Sequence, residues 1–362
     1  MIMVLVGHIL ILLLSFYLLA QVCDTYFVPA LEKIAIKLKM SSDVAGATLM
    51  AIGSSAPELF IAIIAVLMPD DTNAVDANLN IGIGTIVGSA LFNILVIVGA
   101  VAVVKKAVLS WQPIVRDIIF YSITIIVLLV AFGDGEISLW DSIVFVGIYV
   151  VYIFSVFNWR KWFPYKDRGS FNDDDDNDDN SQKRAYYTRL GYIIRPIDFV
   201  IGLFFPKKVG QYYIFSMSIL IIAALCWALV ESAVYIAEDL QIPKIIIALT
   251  VLAIGTSVPD LISSVIIAKQ GKGGMAISNA FGSNIFDILI GLGLPWMILL
   301  VFSERDILVK KEDLVSSIVL LFGSVAIVFL ILYIRKWRIR PRTGYILISI
   351  YLAYIIWQIA LV

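Results

Sequence analysis

The sequence predicts an all-α integral membrane protein with about ten transmembrane helices in two inverted-topology five-helix repeats. Three observations carry this. Hydrophobic residues make up 61% of the 362-residue chain and charged residues only 15%, against roughly 25% charge in soluble domains. Apolar runs of about 20 residues, long enough to cross the hydrocarbon core, recur along the chain. Two polar motifs inside those runs each occur twice, an odd number of spans apart.

The apolar segments fall at 2–20, 43–68, 80–104, 115–132, 138–158, 210–232, 244–268, 275–301, 313–333 and 345–362. The first lacks the basic stretch that opens a signal peptide and reads as a true span. The stretch from Trp159 to Gly210 separates five spans from five. The expected organisation is an N-terminal half over 1–158, a cytoplasmic loop over 159–209 and a C-terminal half over 210–362. The loop holds ten Lys or Arg, and six Asp within 173–179. Such an acidic block is expected to be solvated and without fixed structure. The functional alternative is a regulatory, weakly calcium-responsive patch, although the run lacks the ligand spacing of a calcium loop.

Charge asymmetry sets the orientation. Lys33, Lys37, Lys39, Lys105, Lys106, Lys269, Lys272 and the group Arg335, Lys336, Arg338, Arg340 and Arg342 share a side with the long loop. The opposite side has 69–79, with three Asp and no Lys or Arg, and then Asp134 and Glu136. Arg305, Lys310 and Lys311 break the trend but are diluted by Glu304, Asp306 and Glu312. The positive-inside rule then puts the loop in the cytoplasm and both termini outside.

The repeat is the most informative feature. Residues 47–60 read ATLMAIGSSAPELF and 249–262 read LTVLAIGTSVPDLI, identical at seven of fourteen positions. Residues 87–95 read VGSALFNIL and 281–289 read FGSNIFDIL, identical at five of nine. The first block lies in span two and its copy in span seven, so the copies enter the membrane in opposite directions. Inverted repeats of this kind build secondary transporters, with the ion site at the midplane between them.

Glu58 and Asp260 are matched, each directly after a proline and deep in an apolar segment. A carboxylate at that depth is costly unless paired, hydrated or bound to a cation, and no basic residue stands near either. Pro57 and Pro259 interrupt the helical ladder. Ser54 and Ser55, with Thr256 and Ser257, add hydroxyls; Ser54 and Thr256 lie four residues before the acids, on the same helical face. The second blocks contribute Asn93 and Asp287 at equivalent positions, Ser89 and Ser283 four residues earlier, and Asn284. This oxygen-only inventory suits hard inorganic cations, whereas soft metals call for His or Cys. The chain has one His and two Cys. Three buried carboxylates suit a divalent ion together with a monovalent one, or several monovalent ions. The series Gly82, Gly84, Gly88 and Gly273, Gly274, Gly282 predicts tight helix packing.

GSSAPE at 53–58, GTSVPD at 255–260 and GSNIFD at 282–287 resemble the alpha-repeats of the cation/calcium exchanger superfamily. The match is nearer to its potassium-dependent sodium/calcium exchangers. VCDTYFVPALEKI at 22–34, LSWQPIVRD at 109–117 and GLGLPW at 291–296 extend the likeness over both halves. The resemblance implies Glu58 and Asp260 as central calcium ligands, with Ser54, Ser55, Thr256 and Ser257 as nearby sodium or calcium ligands. It implies Asp287 as the acid associated with potassium dependence and Asn93 as its partner. It further implies sodium moving one way and calcium plus potassium the other, without ATP, most often in the plasma membrane rather than an organelle.

The alternatives are a K⁺-independent or H⁺-coupled calcium/cation exchanger, and, from another class, a cation channel. A channel needs no counter-ion, so coupled counter-flux separates the two. Neither a nucleophile–base set nor a cofactor loop occurs, so no enzyme, cofactor or nucleic-acid partner is expected. The expected partners are inorganic cations and the lipid bilayer.

Overall fold

The computed structural model describes residues 2–38, 40, 42–67, 76–165, 201–206, 209–269, 271, 273–302, 307–308 and 311–360. The run Asp173–Asp179 lies outside them. Eight of the described helices are long and apolar enough to cross a membrane, and two bent pairs bring the spans to ten. In order they are Met3–Phe27, then Ala47–Ser54 with Ala56–Leu67, Ile81–Val104, Trp111–Ala131, Leu139–Trp162 and Gln211–Asp239. The remainder are Lys244–Val258 with Asp260–Lys269, Gly273–Phe302, Val315–Ile334 and Pro341–Ala360. The protein is an integral, multi-pass, all-α membrane protein.

Each hydropathy segment becomes one span, because a buried backbone in hydrocarbon must satisfy its own hydrogen bonds as helix. The fifth span starts on a capping box. The Asp141 amide donates to Ser138 Oγ at 3.3 Å and the Ser138 amide to Asp141 Oδ2 at 2.9 Å, which satisfies amides that helix starts leave open. A further helix, Val28–Lys37, continues the first span; its mixed composition kept it below the hydropathy signal.

Packing follows the repeat. The third span crosses the seventh, and the eighth crosses the second. The fourth packs on the eighth and the ninth on the third; the fifth covers the C-terminal part of the eighth and the tenth that of the third. Each contact has its inverted counterpart. The first and sixth spans lie antiparallel, with His8 stacked on Tyr235 at 4.1 Å and Phe27 on Phe215 at 5.4 Å. The third span is central, with 83% of its apolar window buried against 17% for the first. Large apolar side chains such as Val130, Trp140, Phe154, Ile334 and Ile356 face outward, as a lipid-facing surface requires.

Two short antiparallel ribbons tie the periphery. Ala107–Val108 pairs with Arg338–Ile339, and Glu136–Ile137 with Ile307–Leu308. Lys105 Nζ also donates to the Lys269 carbonyl at 2.9 Å, and Lys37 lies over the Tyr212 ring at 5.4 Å. Segments assigned to one side by charge therefore meet one another.

Five π-helical segments among the described residues were not legible in the sequence; Cys23–Phe27 ends the first span, and the other four fall in matched pairs. These four are Gly46–Met50, Ala248–Leu252, Asn93–Ile97 and Asp287–Leu292. Their offsets, 248 − 46 = 202 and 287 − 93 = 194, are those of the two sequence blocks. The extra residue of a π turn rotates everything beyond it by about 100° relative to a regular helix. Such bulges concentrate at functional sites.

Glycines set the crossings. A Cβ on Gly88 would run into the Leu249 carbonyl and stand 2.6 Å from Ala253 Cβ; one on Gly282 would stand 3.0 Å from the Ala47 carbonyl. Leu249 and Ala47 are themselves matched positions. Gly82 and Gly84 are similarly tight, whereas Gly274 faces open space; the packing expected of it is not formed. Overpacking costs about 1–3 kcal/mol, so Gly88→Ala is expected to lower the thermal unfolding midpoint of the purified protein. Gly274→Ala is expected to leave it unchanged or raise it slightly. Equal midpoints for both would contradict the close crossing.

Candidate functional site

The second and seventh spans bend where the repeat places its prolines. The two parts meet at 51° in the second span and 44° in the seventh. Glu58 and Asp260 begin the second leg of each, and both side chains are fully buried. Asp287 and Asn93 open the π segments of the eighth and third spans and are equally buried. The three carboxylates lie within electrostatic reach of one another. Residues predicted from four separate spans thus come together at one place inside the protein.

The hydroxyls form a crossed network. Ser89 donates to Glu58 Oε1 at 3.3 Å, and Ser283 to Asp260 Oδ2 at 3.2 Å. Ser89 also contacts Ser257 at 2.8 Å, and Ser283 contacts Ser55 at 2.7 Å. A serine hydroxyl has one proton to give. With the protons of Ser89 and Ser283 spent on the carboxylates, Ser257 and Ser55 must be the donors in those contacts. Two chains result, Ser257→Ser89→Glu58 and Ser55→Ser283→Asp260. Each bent span therefore supports the carboxylate of the other repeat.

Ser54 and Thr256 turn back on their own helices instead. Ser54 Oγ donates to the Met50 carbonyl at 3.0 Å, and Thr256 Oγ1 to the Leu252 carbonyl at 3.1 Å. Their lone pairs remain available as acceptors.

Symmetry breaks at the second blocks. Asn93 Nδ2 donates to Asn284 Oδ1 at 2.9 Å. Asn284 Nδ2 in turn reaches the carbonyl of Ala90, its own matched position, at 3.0 Å, and the Tyr121 hydroxyl at 2.9 Å. Asp287, matched to Asn93, has neither carboxylate oxygen hydrogen-bonded. Glu58 Oε2, Asp260 Oδ1 and Asn93 Oδ1 are likewise buried acceptors without a donor. Buried polar atoms are rarely left so, and here all of those in the site are oxygens that attract positive charge.

Among the described residues, no three acidic, histidine or cysteine side chains converge tightly enough to form a metal-ligand set by themselves. A cation held here would draw on hydroxyl and amide oxygens as well as carboxylates. More than one position would share the three acids.

Sequence reasoning missed the supports of this site. Arg116 and Asp117 form a fully buried ion pair at 2.8 Å in the fourth span. Asp117 also accepts from the Tyr152 hydroxyl at 3.2 Å and from Ser278 Oγ at 2.7 Å. Tyr121, one turn on, bonds Asn284, so the fourth span grips the eighth at two levels. Tyr149 packs edge-on against Phe286 at 5.6 Å, beside Asp287. An Arg–Asp pair inside an apolar run was the available signal; nothing marked the tyrosines.

Comparison with known proteins bears directly on this arrangement. A family model described as sodium/calcium exchanger protein matches residues 8–158 and 210–360. Sodium/potassium/calcium exchanger 4 of Homo sapiens is 29% identical, over 97% of this chain and 80% of that protein. Sodium/potassium/calcium exchanger 2 of Homo sapiens is 28% identical, over 98% and 78%. The solved structure of the sodium-calcium exchanger NCX_Mj soaked with 2.5 mM Na⁺ and 10 mM Sr²⁺ superposes with a TM-score of 0.61. It is 22% identical and the match covers 98% of this chain and 99% of that one, a likeness of fold. Matched across both five-span halves, the chain belongs to the sodium/calcium exchanger protein family.

Proposed function

We propose that this protein is a secondary antiporter that exchanges Na⁺ for Ca²⁺ and carries K⁺ together with Ca²⁺. The observation that carries the reading is the set of donor-free oxygens on Glu58, Asp260, Asp287 and Asn93 at the junction of two inverted repeats. The names of the relatives, sodium/potassium/calcium exchangers 4 and 2, support the choice of ions.

In this mechanism Glu58 and Asp260 are the central calcium ligands. Ser54, Ser55, Thr256, Ser257, Ser89 and Ser283 supply hydroxyl oxygens to sodium or calcium. Asp287, with Asn93 and Asn284 nearby, holds potassium. Three carboxylates without counter-charge make the empty cavity costly to enclose. Cations on either side relieve that cost, so the protein crosses between its two open forms only when loaded, and this couples the fluxes. The first and sixth spans, which lie across the bent spans, slide to expose the site to alternate sides.

The two five-span halves are joined by a loop at 159–209 that faces the cytoplasm, with both termini on the other side. The one-sided Lys and Arg distribution supports this orientation. The proposed location is the plasma membrane.

Calcium uptake into sodium-loaded proteoliposomes, with external K⁺ present or replaced by an impermeant cation, tests the reading. Uptake is expected to require both the sodium gradient and K⁺. Indifference to K⁺ would leave a K⁺-independent exchanger, and uptake without internal sodium would move the protein to proton coupling or a channel.

A further inference from the structure

We infer that the second repeat carries an additional cation station, formed by Ser264 and Asn279, between the central site and the membrane face that bears Lys269. Asp260 and Ser283 meet across the antiparallel seventh and eighth spans at 3.2 Å. Ser264 lies four residues beyond Asp260, and Asn279 four residues before Ser283. In antiparallel helices both steps move one turn in the same direction and stay on the same face, here toward the turn after Lys269. Both side chains are at least 99% buried, and Ser264 Oγ and Asn279 Oδ1 have no hydrogen-bond partner. They form a second rung of unused oxygen one turn, about 5.4 Å, from the first.

The first repeat lacks this rung. Its matched positions are Ala62 (264 − 202) and Thr85 (279 − 194). Thr85 spends its hydroxyl on the Ile81 carbonyl at 2.7 Å. A Cβ on the adjacent Gly82 would stand 3.2 Å from Ala62 Cα and 3.6 Å from Ala65 Cβ. The first hairpin thus has a methyl group and one hydroxyl, its proton already given to its own helix, where the second offers a hydroxyl and an amide. A partly dehydrated cation leaving Asp260 toward the Lys269 face meets oxygen at its next turn. Toward the opposite face, the first hairpin offers it one hydroxyl oxygen, Thr85, and no amide. The ligand class is a Na⁺- or Ca²⁺-like hard cation, and the inference rests on the exchange reading.

The test is labelling of the full-length protein in sealed vesicles of defined orientation, by a membrane-impermeant, positively charged methanethiosulfonate. Ser264→Cys and Ala62→Cys are made in a Cys23→Ala, Cys226→Ala background. Lys269→Cys and Asp134→Cys, both at exposed positions, mark the two faces. Ser264→Cys is expected to react from the Lys269 face, in medium with or without sodium, and Ala62→Cys from neither face. At about ten times its Kd, Ca²⁺ should slow the Ser264→Cys reaction about tenfold by mass action. An unreactive Ser264→Cys would overturn the station and leave Ser264 and Asn279 as an interhelical contact. Reaction without protection by Ca²⁺ or Na⁺ would overturn it too. Flux through unmodified vesicles is scored separately, so failure of exchange and failure of the station are told apart.

Discussion

Glu58→Gln is expected to abolish calcium transport. The substitution keeps side-chain length and an oxygen that can accept from Ser89, so the crossed serine chain survives. It removes the charge that opposes a divalent ion at the junction of the repeats. Removing one partner of a buried charge pair costs about 3–5 kcal/mol, and each 1.4 kcal/mol is about tenfold. Sodium-dependent ⁴⁵Ca²⁺ uptake should therefore fall by at least about 100-fold, with the purified variant still monodisperse. Uptake like the wild type would remove Glu58 from the ligand set. The same logic applies to Asp260→Asn.

Asp287→Asn is expected to abolish the K⁺ requirement while leaving sodium-driven calcium uptake. Asp287 stands where the first repeat has Asn93, and its two oxygens have no donor in a fully buried setting. A monovalent cation supplies the missing positive charge; the amide does not need one. Two readouts should move together: uptake no longer rises when K⁺ replaces an impermeant cation, and K⁺ no longer stabilises the protein against heating. Persistent K⁺ stimulation would place the potassium ligand elsewhere. A loss of uptake at every K⁺ concentration would instead make Asp287 part of the calcium site.

Much of this was legible in the sequence. Ten spans follow from hydropathy, because hydrocarbon imposes one simple rule on the backbone. The location of the site followed from Glu58 and Asp260, since an acid in an apolar run is expensive enough to require a reason. What stayed hidden depends on partners from the other half. That Ser55 feeds Asp260, and Ser257 feeds Glu58, is a property of the crossing and not of either segment. The sequence already sets Asn284 against Ala90 and Asp287 against Asn93, but that Asn93 and Asn284 bond one another shows only in the crossing. Four π turns recur at matched positions of the repeat, but no local composition marks them as such. Tyr121 and Tyr149 were indistinguishable from interface tyrosines until the fourth and fifth spans were seen against the eighth.

The crossed packing also bears on how the protein is made. The third span leans on the seventh and the second on the eighth, so the first half emerges from the ribosome with its principal partners still unsynthesised. Glu58 is in the bilayer long before Ser257 exists to complete the serine chain that ends on it. At cellular elongation rates of about 5–20 residues per second, that interval is on the order of tens of seconds. Throughout it, a carboxylate and a seam of small residues face lipid, water or the insertion machinery in place of protein. Biogenesis, as much as transport, therefore selects for a first half that can wait, and a defect in the second half would leave that nascent half to quality control.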